Sequence, residues 1–442
     1  MSKPIVAIVG RPNVGKSTLF NGLAGENISI VKDTPGVTRD RIYADVRWLN
    51  WSFTLIDTGG IEPESRDVIL SQMREQAMIA IETADVILFL TDVRQGLTDA
   101  DAKVADMLRR SGKPVVLAVN KVDNFSRQMM DVYEFYNLGL GEPHAISAAG
   151  KLGLGDLLDV VAERFPEREE EDGENEIPRI AIVGKPNVGK SSIINKLLGQ
   201  NRVIVSDVAG TTRDAIDTNV RWNGKDYIFI DTAGLRRKSR VSEELERYSI
   251  IRTVSAVERA DVVILVIDAV EGVTEQDAKI AGIAHDRGKG IIIAVNKWDA
   301  VEKNDKTVKE YSERIRSVLS FMPYAEILFV SAVTGQRLPR LFDTIDVVLE
   351  NQTLRVATGV LNEILTEAVA MQQPPSDKGR RLKIFYMTQV AVKPPAFVVF
   401  VNEKKLMHFS YLRYLENKIR EAFGFRGTAL KFIVRERKEK EA

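Results

Sequence analysis

Eight residues near the start of the chain, Gly10-Arg11-Pro12-Asn13-Val14-Gly15-Lys16-Ser17, follow the apolar run Ile5 to Val9 and precede a stretch of helical character. Glycines at this spacing let backbone N–H groups turn inward, and the helix that follows aims its positive end at the same point, so the segment is built to cradle phosphate. Lys16 would then reach the β and γ phosphates of a nucleotide, and the Ser17 hydroxyl a magnesium ion. The segment returns 174 residues later as Gly184-Lys185-Pro186-Asn187-Val188-Gly189-Lys190-Ser191, after the apolar run Ile180 to Val183. Lys190 and Ser191 take the same roles. One glycine-rich turn would be weak evidence; two in register, each between a strand pattern and a helix pattern, are strong evidence.

The same offset carries Thr38-Arg39-Asp40 onto Thr212-Arg213-Asp214, and Asp57-Thr58-Gly59-Gly60 onto Asp231-Thr232-Ala233-Gly234. Each aspartate stands 41 residues after its loop lysine and ends an apolar run. Asp57 and Asp231 are expected to hold magnesium through water, and Gly60 and Gly234 to offer amides to the γ-phosphate. Thr38 and Thr212 lie where a switch threonine completes the magnesium shell only while that phosphate is present. Further along, Asn120-Lys121-Val122-Asp123 and Asn296-Lys297-Trp298-Asp299 end the apolar runs Val115 to Val119 and Ile291 to Val295. A carboxylate at Asp123 or Asp299 can accept two hydrogen bonds from guanine N1 and N2, which adenine cannot offer. The lysine stems would lie along the base, and amides at Ser147-Ala148 and Ser331-Ala332 would reach its carbonyl. The implied ligands are GTP and GDP.

What would activate water is less directly written. GTPases of the Ras type place a glutamine after Asp-x-x-Gly, but Ile61 and Leu235 stand there. Asn13 and Asn187 suggest a monovalent cation, potassium, that supplies positive charge at the loop. Arg39, Arg213, Arg236 and Arg237 are alternative charges. The catalytic set is therefore Asn13, Lys16 and Thr38 in one copy, and Asn187, Lys190 and Thr212 in the other. The copies are not equal: Gly59 faces Ala233, and Arg236 to Arg240 is strongly basic where the first copy has Glu62-Pro63-Glu64. Both sites could hydrolyse, or one could hydrolyse while the other senses nucleotide.

These residues need elements to position them. At 442 residues and 44% hydrophobic, the chain can form about three domains with cores of their own. Strand-length apolar runs alternate with amphipathic stretches through residues 1–165 and 178–350, which predicts two α/β P-loop three-layer sandwiches with mostly parallel sheets. Trp222-Asn223-Gly224-Lys225 predicts an antiparallel hairpin between Ala215 to Arg221 and Tyr227 to Ile230. Residues 166–177 hold seven acids and one arginine, a self-repelling linker. Residues 351–442 predict a small α+β domain: helix Thr358 to Met371, strands Leu382 to Val390 and Ala396 to Asn402, helix Phe409 to Phe423, strand Thr428 to Val434. Leu412, Leu415, Ile419 and Phe423 fall at helical spacing and are expected in its core.

Formal net charge is zero, yet from Thr353 onward there are 17 Lys or Arg against nine Asp or Glu. There is no cysteine, which excludes disulfides, cysteine zinc sites and thiol nucleophiles. His144, His285 and His408 lie too far apart in sequence to suggest a shared metal or catalytic site. The N-terminus lacks the pattern of a secretory signal, and no apolar run approaches the roughly 20 residues of a membrane span. A cytoplasmic protein is expected.

Tandem Gly-x-Pro-Asn-Val-Gly-Lys-Ser units, Thr-Arg-Asp segments, the acidic linker and the basic C-terminal domain together closely resemble the Der (EngA) family of bacterial GTPases. The resemblance covers essentially the whole chain. It implies two GTPase domains packed with a KH-like domain, and a part in assembling the large ribosomal subunit through its rRNA. On this reading DNA and membranes are not partners, and the chain acts as a monomer. One departure stands out. A KH module carries a Gly-x-x-Gly clamp between two helices, but here Gly424-Phe425-Arg426-Gly427 joins a helix to the last strand and is expected to be a helix C-cap turn. RNA contact would fall to Lys378, Arg380, Arg381, Lys383 and the tail from Arg435 to Lys440. Alternatively, the basic domain docks on the acidic remainder of the chain.

Overall fold

β-branched residues bounded by turns favour strands buried on both faces, and such runs precede both glycine-rich segments. In the computed structural model, which describes residues 3–27, 43–58, 66–166, 177–199, 203–205, 217–230, 245–377 and 380–437, these runs are the central strands of two sheets. The chain divides into two compact units, one built mainly on Thr38–Asn175 and the other mainly on Glu176–Ser239 and Arg259–Ala442.

The first unit contains β1 (Ile5–Gly10), α1 (Lys16–Asn27), β2 (Tyr43–Trp48), β3 (Trp51–Asp57), α2 (Arg66–Thr83), β4 (Val86–Asp92), α3 (Asp99–Ser111), β5 (Val115–Asn120), α4 (Phe125–Tyr133), β6 (Pro143–Ala145) and α5 (Leu154–Glu163). Its sheet order is β2-β3-β1-β4-β5-β6. Among the described residues only the β2–β3 pair of this sheet is antiparallel; every other pair is parallel. Parallel register brings the ends of the inner strands to one edge: Ile8 pairs with Asp57, Gly10 with Leu90, and Asp92 with Asn120. Loops leaving that edge are where an open α/β sheet binds its ligand. Beneath it, Ile8, Leu19, Leu88 and Leu157 belong to one buried cluster.

The second unit repeats the plan with β7 (Arg179–Val183), α6 (Lys190–Leu198), β8 (Val203–Val205), β9 (Thr218–Trp222), β10 (Lys225–Ile230) and, beyond α7 (Leu245–Arg259), which groups with the first unit as far as Glu258, β11 (Val262–Asp268), α8 (Glu275–Asp286), β12 (Gly290–Asn296), α9 (Thr307–Val318), β13 (Glu326–Phe329) and α10 (Arg340–Thr353). Its order is β13-β12-β11-β7-β10-β9-β8. The expected hairpin is present, with Trp222 opposite Lys225 and both turn residues at positive φ, Asn223 at 49° and Gly224 at 85°. Those angles are why Asn-Gly suits a two-residue hairpin loop.

The same unit ends in α11 (Thr358–Met371), the short pair β14 (Ser376–Asp377) and β15 (Arg380–Arg381), β16 (Ile384–Ala391), β17 (Ala396–Val401), α12 (Phe409–Phe423) and β18 (Lys431–Glu436). Both helices have the expected bounds. Leu412, Leu415 and Ile419 are buried with Leu361, Leu365 and Phe397, and Phe423 packs at the edge of that cluster. The last strand starts at Lys431 rather than Thr428. Gly427 instead donates its N–H to Tyr324 O and accepts from Ile291 N at 2.7 Å, and Thr428 bridges to Gly290. Gly424 does cap α12, at φ 84°. Within that turn Phe425 is buried in the domain's own core, Arg426 pairs with Glu326 of β13, and Gly427 bonds to β12.

Candidate nucleotide sites

The two glycine-rich loops fold alike. Asn13 and Asn187 sit at φ 64° and 63°, and Gly15 and Gly189 at 101° and 97°. A Cβ on Gly15 would lie 2.3 Å from Asn120 Nδ2, and one on Gly189 2.2 Å from Asn296 Nδ2, so no other residue fits either position. Lys16 Nζ donates to the carbonyls of Gly10 and Arg11, each at 2.7 Å. Lys190 does the same to Gly184 and Lys185, at 2.7 and 2.6 Å. Burial pushes both ammonium groups down to about 8, partly offset for Lys16 by the Asp57 charge and for Lys190 by Asp277. A desolvated cation hydrogen-bonded to neutral carbonyls gains from an arriving anion.

Beside it, Ser17 Oγ donates to Asp57 Oδ2 at 2.9 Å, and Thr58 Oγ1 to Ile8 O at 2.5 Å. The first loop thus has two hard oxygen donors of the kind divalent magnesium takes. In the second copy, Asp231 to Leu235 lie outside the described residues, as do Thr38, Thr212, Gly59, Gly60, Ile61, Arg39, Arg213, Arg236 and Arg237.

The Asn-Lys-x-Asp segments divide their labour. Asn120 Nδ2 donates to Val14 O at 2.7 Å while its Oδ1 accepts from Ala148 N at 2.9 Å. Asn296 repeats the clamp on Val188 O and Ala332 N, at 2.8 and 3.0 Å. These buried asparagines tie three loops together. Lys121 Nζ reaches Asn13 O and Asp92, both at 2.7 Å; Lys297 reaches Asp268 at 2.5 Å. Asp123 projects from the loop, held by Ser147 Oγ at 2.7 Å and Arg94 Nη2 at 2.5 Å. Those hydrogen bonds, Ser147 first, keep its carboxyl below the ordinary aspartate range. Residue 270, at the place of Arg94 in the second copy, is an exposed valine.

Among the other expected contact residues, Val14, Val122, Val188 and Trp298 have buried side chains, and only their backbone can face a ligand. Arg11 and Lys185 turn their side chains away, toward the starts of α3 and α8. Sequence reasoning missed that direction. The available signal was Thr98-x-x-Asp101, repeated as Thr274-x-x-Asp277, a capping box at each of those helix starts.

The C-terminal basic residues fall into two groups. Arg426 makes a two-pronged ion pair with Glu326, Nε and Nη2 each at 2.8 Å, Arg413 donates to Ser320 O, and Arg420 lies 4.3 Å over the Tyr324 ring. These dock the domain on its neighbour within the second unit. Arg380, Arg381, Lys383, Arg435 and Arg437 are exposed; Lys378 and residues 438–440 lie outside the described residues. Among the described residues no helix is long and apolar enough to cross a membrane.

Comparison with known proteins agrees with this architecture. Residues 5–121 and 179–297 match a family model described as 50S ribosome-binding GTPase, and residues 355–435 match the KH-domain-like C-terminal region of EngA bacterial GTPase enzymes. The chain is 76% identical over 441 residues to GTPase Der of Agathobacter rectalis, with all of both proteins covered. It is 76% identical to that of Lachnoclostridium phytofermentans over 99% of this chain and the whole relative, and 60% identical to that of Acetivibrio thermocellus over the whole of both. Two P-loop GTPase domains, a KH-like C-terminal domain and full-length identity at this level place the chain in the Der (EngA) family of GTPases, and make it a GTP hydrolase.

Proposed function

We infer that both loops bind GTP with magnesium, and that hydrolysis makes the protein a nucleotide-dependent switch in assembly of the large ribosomal subunit. The observation that supports this most is a recurrence. In two separately built sheets, a desolvated lysine is held on two loop carbonyls, and a buried asparagine ties that loop to the backbone N–H of Ala148 or Ala332. Lys16 and Lys190 exchange those carbonyls for phosphate oxygens. Asp123 and Asp299 read the guanine edge. Ser17 with Asp57, and Ser191 with Asp231, hold the magnesium, which neutralises phosphate charge when bound. Thr38 and Thr212 follow the γ-phosphate and release their loops when it is lost.

Potassium near Asn13 and Asn187 supplies the charge that Ile61 and Leu235 cannot. GTP turnover should therefore rise when potassium replaces sodium at equal ionic strength; equal rates in the two salts would remove the cation from the mechanism. The name of the matched family, a 50S ribosome-binding GTPase, supports the ribosomal destination. Exposed Arg380, Arg381, Lys383 and Arg435 supply the surface for rRNA, whose phosphates would make binding strongly salt-dependent. Sedimentation with separated subunits tests the switch: retention on the large subunit should differ between GDP and a non-hydrolysable GTP analogue. Retention indifferent to nucleotide would overturn it.

A further inference from the structure

The residue after the first loop glycine differs between the copies, and so do its partners. In the first copy Arg11 Nε donates to Asp101 Oδ1 at 2.8 Å and Nη1 to Gln95 Oε1 at 2.5 Å. The two charged side chains are 11% and 0% exposed. Asp101 is otherwise fully engaged, since its Oδ2 accepts from Thr98 N and Thr98 Oγ1 in the cap of α3. In the second copy Lys185 Nζ lies 2.7 Å from Glu271 and 3.8 Å from Asp277. Asp277 Oδ2 is engaged by Thr274, but its buried Oδ1 has no hydrogen-bond partner among the described residues, and burial pushes this carboxyl up. The Glu271 side chain is 58% exposed. Thr98, Gln95 and Asp101 correspond to Thr274, Glu271 and Asp277 at one offset of 176 residues, so the frame is shared and only its chemistry has changed.

The carbonyl of this residue is one of the two that hold the phosphate lysine, in both copies. Fixing the side chain therefore fixes the place from which that lysine acts. Arginine does so by spreading its guanidinium over two partners, Nε on the carboxylate and Nη1 on Gln95 at hydrogen-bond distance, while its buried Nη2 is unpartnered among the described residues. Lysine, as a single point charge, leans to a carboxylate in solvent and leaves the buried one unmet. Formal charge differs too. Arg11, Asp101 and Gln95 are neutral together, whereas Lys185, Asp277 and Glu271 carry one net negative charge beside a loop that must accept phosphate.

We propose that Arg11 and Lys185 are positioning residues that strut each phosphate loop against the cap of the following helix, and that Arg11 on Asp101 makes the first site hold nucleotide longer than the second. This rests on the reading of both loops as guanine-nucleotide sites. A strut acting through the loop backbone changes ligand release at its own site and leaves the other site alone.

The test uses the full chain and a fluorescent GDP analogue. Asp299→Ala isolates the first site and Asp123→Ala the second, and each background is combined with Arg11→Lys, Lys185→Arg or the double exchange. Arg11→Lys should speed release from the first site, and Lys185→Arg should slow release from the second, each by about three- to tenfold, the scale of one charge-assisted hydrogen bond. The double exchange should carry the slow rate from the first site to the second. Lys185→Arg adds a contact, so slower release cannot come from misfolding. Release rates that ignore the exchange, or that change equally at both sites, would overturn the strut. Failure of either isolated site to bind the analogue before any exchange would overturn the site reading instead.

Discussion

Asp123 and Arg94 show how much a single position can decide. With the Ser147 hydroxyl on one oxygen and the Arg94 guanidinium on the other, the carboxylate is held charged and oriented before any base arrives. If Asp123 reads guanine, Asp123→Asn presents an amide donor where the 2-amino group of guanine also donates, and a xanthine carbonyl accepts instead. Preference at the first site should then pass from GDP to XDP, with GDP affinity falling about 100-fold or more because a polar pair is left mismatched. Competition binding measures it; a variant that still prefers GDP would remove Asp123 from base recognition. Val270 in place of Arg94 leaves the second site to orient Asp299 without that cation. Motif spacing made these aspartates legible. The arginine was not, because Arg94 belongs to no repeated pattern and reaches Asp123 only once β4 and β5 lie side by side.

Among elements, the turn from Gly424 to Gly427 carries most weight. Its sequence predicts a helix cap, and Gly424 is one. Gly427 does more: at φ 65° a Cβ would lie 2.3 Å from Val348 Cγ2, whereas at Gly424 the nearest outside atom, Asn351 Oδ1, is 3.9 Å away. Gly424→Ala should therefore cost about 1 kcal/mol, from the backbone conformation alone. Gly427→Ala adds a clash inside packed side chains and should cost about 2–4 kcal/mol. Urea unfolding of the two variants checks the order, and equal costs would mean that the contact with Val348 yields freely. The bounds of α11 and α12 and the Asn223-Gly224 hairpin were legible because local patterning decides them. The late start of β18 was not, since Thr428 is drawn to β12 by a partner more than a hundred residues earlier in the chain.

For the molecule as a whole, the second unit holds a titrating group where two domains meet. His285 lies 2.7 Å from the Tyr324 hydroxyl and edge-on to Phe321. Burial pushes its imidazole down to about 4, helped by the charges of Arg420, Lys431 and Arg413. The folded state therefore keeps His285 neutral while the unfolded chain protonates it below about 6.5. Stability from this group is complete above that value and is lost as pH falls toward about 4, at most about 3 kcal/mol. His285→Gln should flatten this part of the pH dependence in urea unfolding between pH 7.5 and 4.5. Identical slopes in the variant and the parent would show that the histidine protonates alike in the folded and unfolded states, against its depressed value in the fold.

Because Gly427 and Thr428 hydrogen-bond to the first residues of β12, the KH-like domain completes its neighbour's fold instead of hanging from it. A protein ending at residue 353 would bare the buried Tyr324 ring and leave the Ile291 amide without its acceptor. Fragments and fusions that treat the second GTPase domain as a portable cassette should therefore aggregate, while those that keep residues 177–437 together should be soluble. The change of pattern after residue 350 marks a new architecture, but offers no place to cut.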